Sequence, residues 1–537
     1  MASSSQPVIV VGASLVGLSA ALCLASQQVP TIVLEKHGGA FIHPRAIGFT
    51  ARTIEIFQSL GLDKLDPIPE DFSLTRAKVE SLTGQWFEHT SWSDTDKQQK
   101  YNKKDSSGDQ KPSSPSPKKE YSANRGSAIP QDQLEPMLEA LARERGADIR
   151  RQQRVVSVGQ DQNGVVVTVL DAKGQQHQVR GSYLIAADGN RSTVRELLQI
   201  PRQGRGSMQN IHSVLFHAPL KEYTRGIVQF DINQPGLSAF LTSYNDGRWA
   251  LMFRDDVERD EDALQSAIHS AIGRTDIPIE IITTGRWELT ALVADTFQAG
   301  RIFLAGDAAH TLPPNRGGYG ANTGIHDVHN LAWKLAAVLS GRSAPELLDT
   351  YDAERRPVAL LRHDQIFVRA DYKVYNNCSP GSGAEMIDDD AMEFGQLYAS
   401  SGFVGVDDTL PRAKKPDEWA GQPGTHLPHI WVTRDGDKLP LLKVVGQGSW
   451  TLVLAVEEWM HIVSGVNKRS SIPIKSVCIG RDVQPMQQED FCQSFGVSAT
   501  GAALIRPDGY ITWRTPDLPS NGGTLLDDVL SQVAFRT

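Results

Sequence analysis

Four consecutive β-branched residues, Val8–Val11, run directly into Gly12-Ala13-Ser14-Leu15-Val16-Gly17 and then into a small-residue stretch ending at Ala25. A second β-rich run, Thr31–Glu35, follows. This order predicts a buried strand, a tight turn, a helix and a parallel strand, which commits the start of the chain to an α/β unit. The turn follows the G-x-G-x-x-G dinucleotide fingerprint, in which Gly12 makes the bend and Gly17 lets the helix pack close to the strand. The middle position is Ser14. Serine is small enough to fit there, and its hydroxyl could donate to a phosphate oxygen. The helix start offers free N–H groups and a positive dipole end. Glu35 ends the second strand, where an acidic side chain can grip a ribose 2′-hydroxyl. The same turn would also serve a plain strand–helix connection, and Glu35 beside Lys36 could be a simple surface carboxylate.

Composition narrows the class further. The chain has 537 residues, 40% hydrophobic and 22% charged, an ordinary globular balance that excludes a wholly disordered or collagenous chain. Its length suffices for a large core without staples. Lys and Arg number 54 against 63 Asp and Glu, a net charge of −9, which argues against non-specific nucleic-acid binding. Cys23, Cys378, Cys478 and Cys492 form no CxxC pair, so a dithiol centre or zinc ribbon is not expected. The fourteen histidines show no HxxxH with a nearby carboxylate ligand pattern, and no metal is expected. The cysteine usage fits a reducing compartment, and the start lacks a basic leader region, so a cytoplasmic location without a membrane span is expected. The apolar run from Val8 to Ala25 is interrupted by Gly12, Ser14, Gly17 and Ser19, which suits a strand and helix better than an anchor.

Further along, Lys97 to Glu120 is rich in Lys, Ser, Pro and Gln and reads as a mobile surface insertion. Gln133 to Arg145 has helical spacing, with Leu134, Leu138 and Leu141 on one face. Asn163-Gly164 signals a hairpin into Val165–Leu170. Tyr183–Ala187 and Arg301–Ala305 read as buried strands, and Val214 to Phe253 as an antiparallel sheet. Ala321 to Leu339 reads as a long amphipathic helix and Pro380 to Asp390 as a loop. From about Gly421 the short strands and helices suggest a separate C-terminal domain.

Two further motifs carry chemistry. Ala186-Ala187-Asp188-Gly189-Asn190-Arg191-Ser192-Thr193-Val194-Arg195 ends a strand in Asp-Gly and starts a helix. Arg301-Ile302-Phe303-Leu304-Ala305-Gly306-Asp307-Ala308-Ala309-His310 is followed by Pro313-Pro314 and by Gly317, Gly318, Gly320, Asn322 and Gly324. Asp307 at a strand end can accept from a sugar hydroxyl, and the Gly-rich turn would present N–H groups to an anion. Each piece alone could be an ordinary connection.

The ordered set, with Tyr351-Asp352-Ala353-Glu354-Arg355-Arg356-Pro357 and with His43-Pro44-Arg45-Ala46 running into Arg52–Phe57, resembles the single-component flavin-dependent aromatic hydroxylases. That family is typified by p-hydroxybenzoate hydroxylase and phenol hydroxylase. Pro423-Gly424-Thr425 and Arg506-Pro507-Asp508-Gly509-Tyr510 resemble the thioredoxin-like C-terminal domain of its larger members, including hydroxylases of aromatic polyketides. The resemblance implies an α/β fold: a Rossmann-like FAD-binding domain of glutathione-reductase type, a β-sheet substrate domain and a thioredoxin-like C-terminal domain. The implied divisions are 1–75, 121–200 and 286–415 for FAD binding with a helical linker, 76–120 and 201–285 for substrate, and 416–537 for the C-terminal domain. Lacking CxxC, that last domain should be structural or interfacial.

By the same resemblance, Gly12, Ser14 and Gly17 cradle the FAD pyrophosphate and Glu35 holds the adenosine ribose. Arg45, Gly48 and Gln131 contact FAD, and Asp307 binds the ribityl chain. Gly320, Ala321 and Asn322 meet the flavin's pyrimidine edge, and Asp188 and Gly189 serve FAD and NAD(P)H. The implied reaction reduces FAD with NADPH or NADH, forms a flavin C4a-hydroperoxide with O2 and hydroxylates a phenolic ring. A polycyclic polyketide is the favoured substrate, with a simple phenol next. A Baeyer–Villiger insertion is a third outcome, and a non-catalytic flavin-binding protein or a module acting through the Lys-rich insertion are the readings of another class. Arg45, Tyr223 and Pro313 are the catalytic candidates. Tyr223 and Tyr244 fall in the substrate sheet, where either could bond a phenolate or simply pack. His217 and His310 are possible acid–base groups, His310 being better suited to support near the flavin. A homodimer is possible.

Overall fold

The computed structural model describes residues 6–39, 43, 46–70, 72, 75–91, 119–244, 246–314, 318–368, 385–407, 409–486 and 488–537. Most of the expected insertion, 97–118, and Arg45 lie outside the described residues. At its edge, Glu120 accepts a hydrogen bond from Trp431 Nε1 at 2.8 Å, and Tyr121 donates to Asp417 at 2.6 Å.

Val8–Val11 is wholly buried and pairs in parallel with Thr31–Glu35 on one side and Tyr183–Ala186 on the other. Asp148–Arg151 and Ile302–Leu304 extend this sheet in parallel, and Gln298–Ala299 closes it as an antiparallel edge. Strands buried on both faces need the continuous apolar runs that the sequence supplies. Helix α1 (Leu15–Ser26) is apolar all round and almost wholly buried. α2 (Ala51–Ser59) and α3 (Gln131–Glu144) bury single faces, α3 through Leu134, Leu138 and Ala142. A short α4 (Thr193–Leu197) follows Asp188-Gly189. Gly12 has φ +103°, and a Cβ there would lie 2.4 Å from the Ala187 carbonyl oxygen. A Cβ on Gly17 would lie 1.9 Å from the Gly12 carbonyl oxygen, so the helix meets the turn at a distance only glycine permits.

The second sheet has eight strands, with the long Arg202–His217 and Glu280–Ala294 paired along their length. Arg248–Phe253, Leu237–Ser243 and Gln229–Gln234 continue it antiparallel, and Thr75–Val79 joins in parallel. Alternation sends Val214, Phe216, Leu241, Leu251 and Phe253 to one face, where Leu264, Ile268 and Ile272 of α5 (Glu261–Ile272) cover them. Leu215, Tyr244 and Ala250 lie together in a different cluster, packed by Met252 and by Ile47 from the α/β part.

α6 (Tyr319–Leu339) is buried nearly all round because it serves two cores. Ile325, Val328, Leu331 and Leu335 pack with the first sheet, while Trp333 and Ala337 pack with the C-terminal part. α7 (Thr350–Val368) follows, and then α8 (Asp389–Phe394), which takes up Asp389 and Asp390 where a loop is expected. After α9 (Pro416–Trp419), Trp450–Leu454 pairs in parallel with Ile474–Cys478 across α10 (Glu458–Asn467). α11 (Gln488–Phe495), the antiparallel strands Ala502–Ile505 and Ile511–Thr515, and α12 (Gly522–Val533) complete the chain. This βαβ unit followed by ββα is the thioredoxin-like order. A small sheet of Trp431–Arg434, Asp437–Pro440 and Gln484–Pro485 adjoins it. Cys478 is buried and free, and no described helix is long and apolar enough to cross a membrane.

Two predictions follow from this packing. Gly17→Ala should destabilise the protein by about 3 kcal/mol, because the added methyl displaces backbone; an unchanged thermal midpoint would contradict the close approach. The second concerns Glu393 of α8, which accepts from Arg52 N at the start of α2 at 2.8 Å. Burial raises its carboxyl to about 7, against opposing help from that N–H, Thr50 and Arg362, while Glu55 adds to the rise. Below the unfolded value both states hold the proton and stability is full. As pH climbs toward 7 only the unfolded chain ionises, so stability falls by about 3 kcal/mol and then levels. Glu393→Gln should remove that fall, with the variant's advantage in thermal midpoint growing between pH 5 and 7; a constant difference would refute it.

Candidate functional site

Three turns converge at the carboxyl ends of the parallel strands, where open α/β sheets bind ligands. Val11 leads to Gly12, Ala186 to Asp188, and Leu304 to the 3₁₀ turn Gly306–Ala308. Val16 of α1 sits between Gly306 and Gly324: a Cβ on Gly324 would lie 2.5 Å from Val16 Cγ2 and 2.9 Å from Gly306 Cα. α1 and α6 therefore cross closely, with their N-termini beside these turns.

The side chains in the turns are tied to one another. Glu35 is nearly buried and accepts from Ala13 N at 2.7 Å and His37 N at 2.8 Å, so it braces the fingerprint turn. Ser14 donates to Glu135 Oε1 at 2.5 Å and accepts from Gln131 Nε2 at 3.0 Å. Glu135 also accepts from Leu15 N at 3.0 Å and Gln131 Nε2 at 2.7 Å. Burial raises its carboxyl, and those three donors oppose the rise. Gln131 exchanges hydrogen bonds with Ala46, at 2.9 Å from its backbone N–H and 3.3 Å to its side-chain oxygen. Glu135 is the residue that sequence reasoning missed. Its i+4 spacing from Gln131 put both on one face of α3, and that was the available signal.

The second motif is engaged in the same way. Asp188 accepts from Ser192 Oγ at 2.5 Å and Val194 N at 3.2 Å, and its carboxyl is raised by burial. Gly189 adopts φ +84°. Arg195 donates to the Ala308 carbonyl at 2.9 Å, which couples this motif to the Gly306–Ala308 turn. Asp307 is exposed on that turn. His310 is fully buried with Nε2 2.8 Å from Asp327 Oδ2, a supporting position.

Asn322 organises the start of α6. It donates to the carbonyls of Gly318 at 2.7 Å and Gly48 at 3.2 Å, and accepts from Thr53 Oγ1 at 2.6 Å and Thr50 N at 3.0 Å. Gly48 is thereby held beside Gly318 at the start of α6. Pro313 is buried in the segment just before that helix. On the eight-stranded sheet, Ser213 Oγ lies 3.0 Å from His43 Nε2, and the strand partner Gly285 leaves room for the imidazole.

Tyr223 departs from expectation. It lies in the 3₁₀ turn Lys221–Tyr223, past the strand end at His217, and it packs against the α5-covered cluster with Arg274 over its ring. Tyr244, by contrast, is buried in the cluster that Ile47 joins, and burial raises its phenol. His217 is exposed at a strand end.

With this geometry in view, residues 5–364 match the FAD binding domain family, and residues 420–534 match the aromatic-ring hydroxylase C-terminal family. The chain is 34% identical to 4-methyl-5-nitrocatechol 5-monooxygenase of Burkholderia sp over 99% of this chain and 98% of that one. It is equally identical, at 34%, to the tetracenomycin B2 monooxygenase-dioxygenase of Streptomyces olivaceus, over 99% of each. Aklavinone-11 hydroxylase, in a crystal structure with FAD and aklavinone, superposes with a TM-score of 0.84 at 28% identity over 100% of both chains. Whole-length likeness of this kind, on top of three converging FAD-type motifs, makes the chain a member of the FAD-dependent aromatic-ring hydroxylases, the flavoprotein monooxygenases.

Proposed function

We propose that this chain uses NAD(P)H and O2 to hydroxylate a polycyclic phenolic polyketide, with FAD held at the three converging turns. The observation that carries the reading is the meeting of the α1 and α6 N-terminal turns with the Gly306–Ala308 turn, through Val16, Gly324 and Asp327. The residues suit FAD: a Cβ would obstruct the Gly12 turn, and two dipole ends favour an anionic group. Gly12, Ser14 and Gly17 would face the pyrophosphate, Glu35 the adenosine ribose and Asp307 the ribityl chain. Gly320, Ala321 and Asn322 would face the flavin's pyrimidine edge, with Gly48, Gln131, Asp188 and Gly189 close by and Arg45 assigned by family likeness.

FAD, once bound and reduced, supplies the oxygen activation that no side chain can provide. The chain's part is to bind, orient and keep the site dry. Glu135 fixes Ser14 and Leu15 so that the α1 N-terminus is preorganised. Asn322 holds Gly48 and Thr53 against the α6 N-terminus. The backbone around Pro313 and the apolar Leu215, Ala250 and Met252 would receive the aromatic rings, and Tyr244 replaces Tyr223 as the tyrosine placed to meet a phenol. The likeness to tetracenomycin and aklavinone enzymes supports a polycyclic substrate, and the nitrocatechol enzyme supports a single-ring catechol as the second reading.

A panel of phenols and polyketides, assayed for NADH and NADPH oxidation under isotopically labelled O2, decides between them. The expected product is heavier by one labelled oxygen atom and forms best from a polycyclic phenol. NAD(P)H oxidation without oxygen transfer to any phenol would refute the proposal.

A further inference from the structure

The Arg506-Pro507-Asp508-Gly509 turn of the C-terminal part reaches into a buried cluster under α6. Arg506 is 1% exposed. Its guanidinium bridges Glu354 of α7 in a bidentate pair, at 2.8 and 3.0 Å, and its own Asp508 at 2.7 and 3.1 Å. Glu354 also accepts from Lys334 at 2.8 Å and Asn330 at 2.7 Å, both on α6, and from Ser400 at 2.8 Å. The two cations and two carboxylates balance, all fully buried.

Lys334 and Asn330 belong to one stripe of α6. Asn322, His326, Asn330 and Lys334 recur at every fourth residue, so they follow one slanting ridge of the helix. At the other end of the stripe Asn322 holds Gly48, and both Asn322 and His326 meet Thr53. Twelve residues separate the ends, about 18 Å along the axis. A second link runs beside it, since Arg52, the neighbour of Thr53, donates to the Asp508 carbonyl at 3.2 Å.

We propose that Arg506 is a positioning residue for the flavin site: the C-terminal part grips α6 by its far end and sets the placement of the Tyr319–Asn322 turn. The proposal rests on the reading that this turn faces FAD. A planar guanidinium in a bidentate pair fixes direction as well as charge, which an ammonium cannot do. Buried ion clusters contribute little net stability compared with apolar packing, so a geometric role accounts better for this one.

The test compares R506M, R506K, N322A, the R506M/N322A double variant and V453A, a core change in the C-terminal part within a cluster that holds no α6 residue. The readouts are the FAD dissociation constant from flavin fluorescence and the visible absorption band of the bound flavin, both taken well below the unfolding midpoint. R506M should weaken FAD binding about tenfold and shift the band, and R506K should weaken it about threefold. R506K serves as the reading variant if R506M yields no folded holoenzyme. V453A should lower the unfolding midpoint yet leave FAD affinity and the band unchanged, and the double variant should bind FAD no more weakly than N322A alone. Unchanged FAD binding and spectrum in the Arg506 variants, or multiplying effects in the double variant, would overturn the inference while leaving the FAD site intact. Full FAD affinity in N322A would overturn that site reading and the inference with it.

Discussion

A helix buried nearly all round that carries Asn322, His326, Asp327, Asn330 and Lys334 must find a partner inside the protein for each of them. Those partners come from nearly every other part of the molecule. Asp327 takes Arg355 of α7 at 2.8 Å, His310 at 2.8 Å and the Gly306 N–H at 3.2 Å, so the turn that carries Asp307 is fixed to α6 and α7 at once. Asp327 is consequently held below the ordinary carboxylate range by Arg355 and His310, despite its burial. Removing one member of such a set leaves an unpaired buried charge, at a cost of about 3 to 5 kcal/mol. The strand ends, the α1 turn and the C-terminal part are thus registered against one central helix.

This arrangement explains why motifs spread over more than three hundred residues form a single site. The glycines shape it by absence: Val16 fits between Gly306 and Gly324 only because neither carries a side chain. The charged residues shape it by obligation, because a buried carboxylate or guanidinium tolerates few geometries. The eight-stranded sheet adds an apolar face lined by Leu215, Ala250 and Met252, met by Ile47 and edged by the Ser213–His43 pair. A family that hydroxylates aromatic rings needs both a cofactor cradle and such a face.

Much of this was legible in the sequence because it is local. The strand–turn–helix opening, the hairpin at Asn163-Gly164 and the long helix to Leu339 each follow from periodicity and turn chemistry within a dozen or so residues. The roles of Gly12 and Gly17 were readable because the fingerprint encodes a backbone requirement. What was hidden depends on residues distant in the chain. Ser14 meets Glu135, Asn322 meets Gly48, and Arg506 meets Glu354, pairings that no local pattern encodes. Tyr223 was misplaced because the strand ends at His217 and a 3₁₀ turn follows, a boundary that alternation alone does not reveal.

The proposed placement of FAD runs across the Gly12 and Gly306 turns, with its ring system at the first turn of α6. A crystal structure of the holoenzyme tests this most directly. The expected density shows the pyrophosphate over Gly12 to Ser14 and the isoalloxazine beside Gly320 to Asn322, facing Leu215 and Ala250. Flavin density elsewhere on the molecule, with those turns closed by their own side chains, would contradict it.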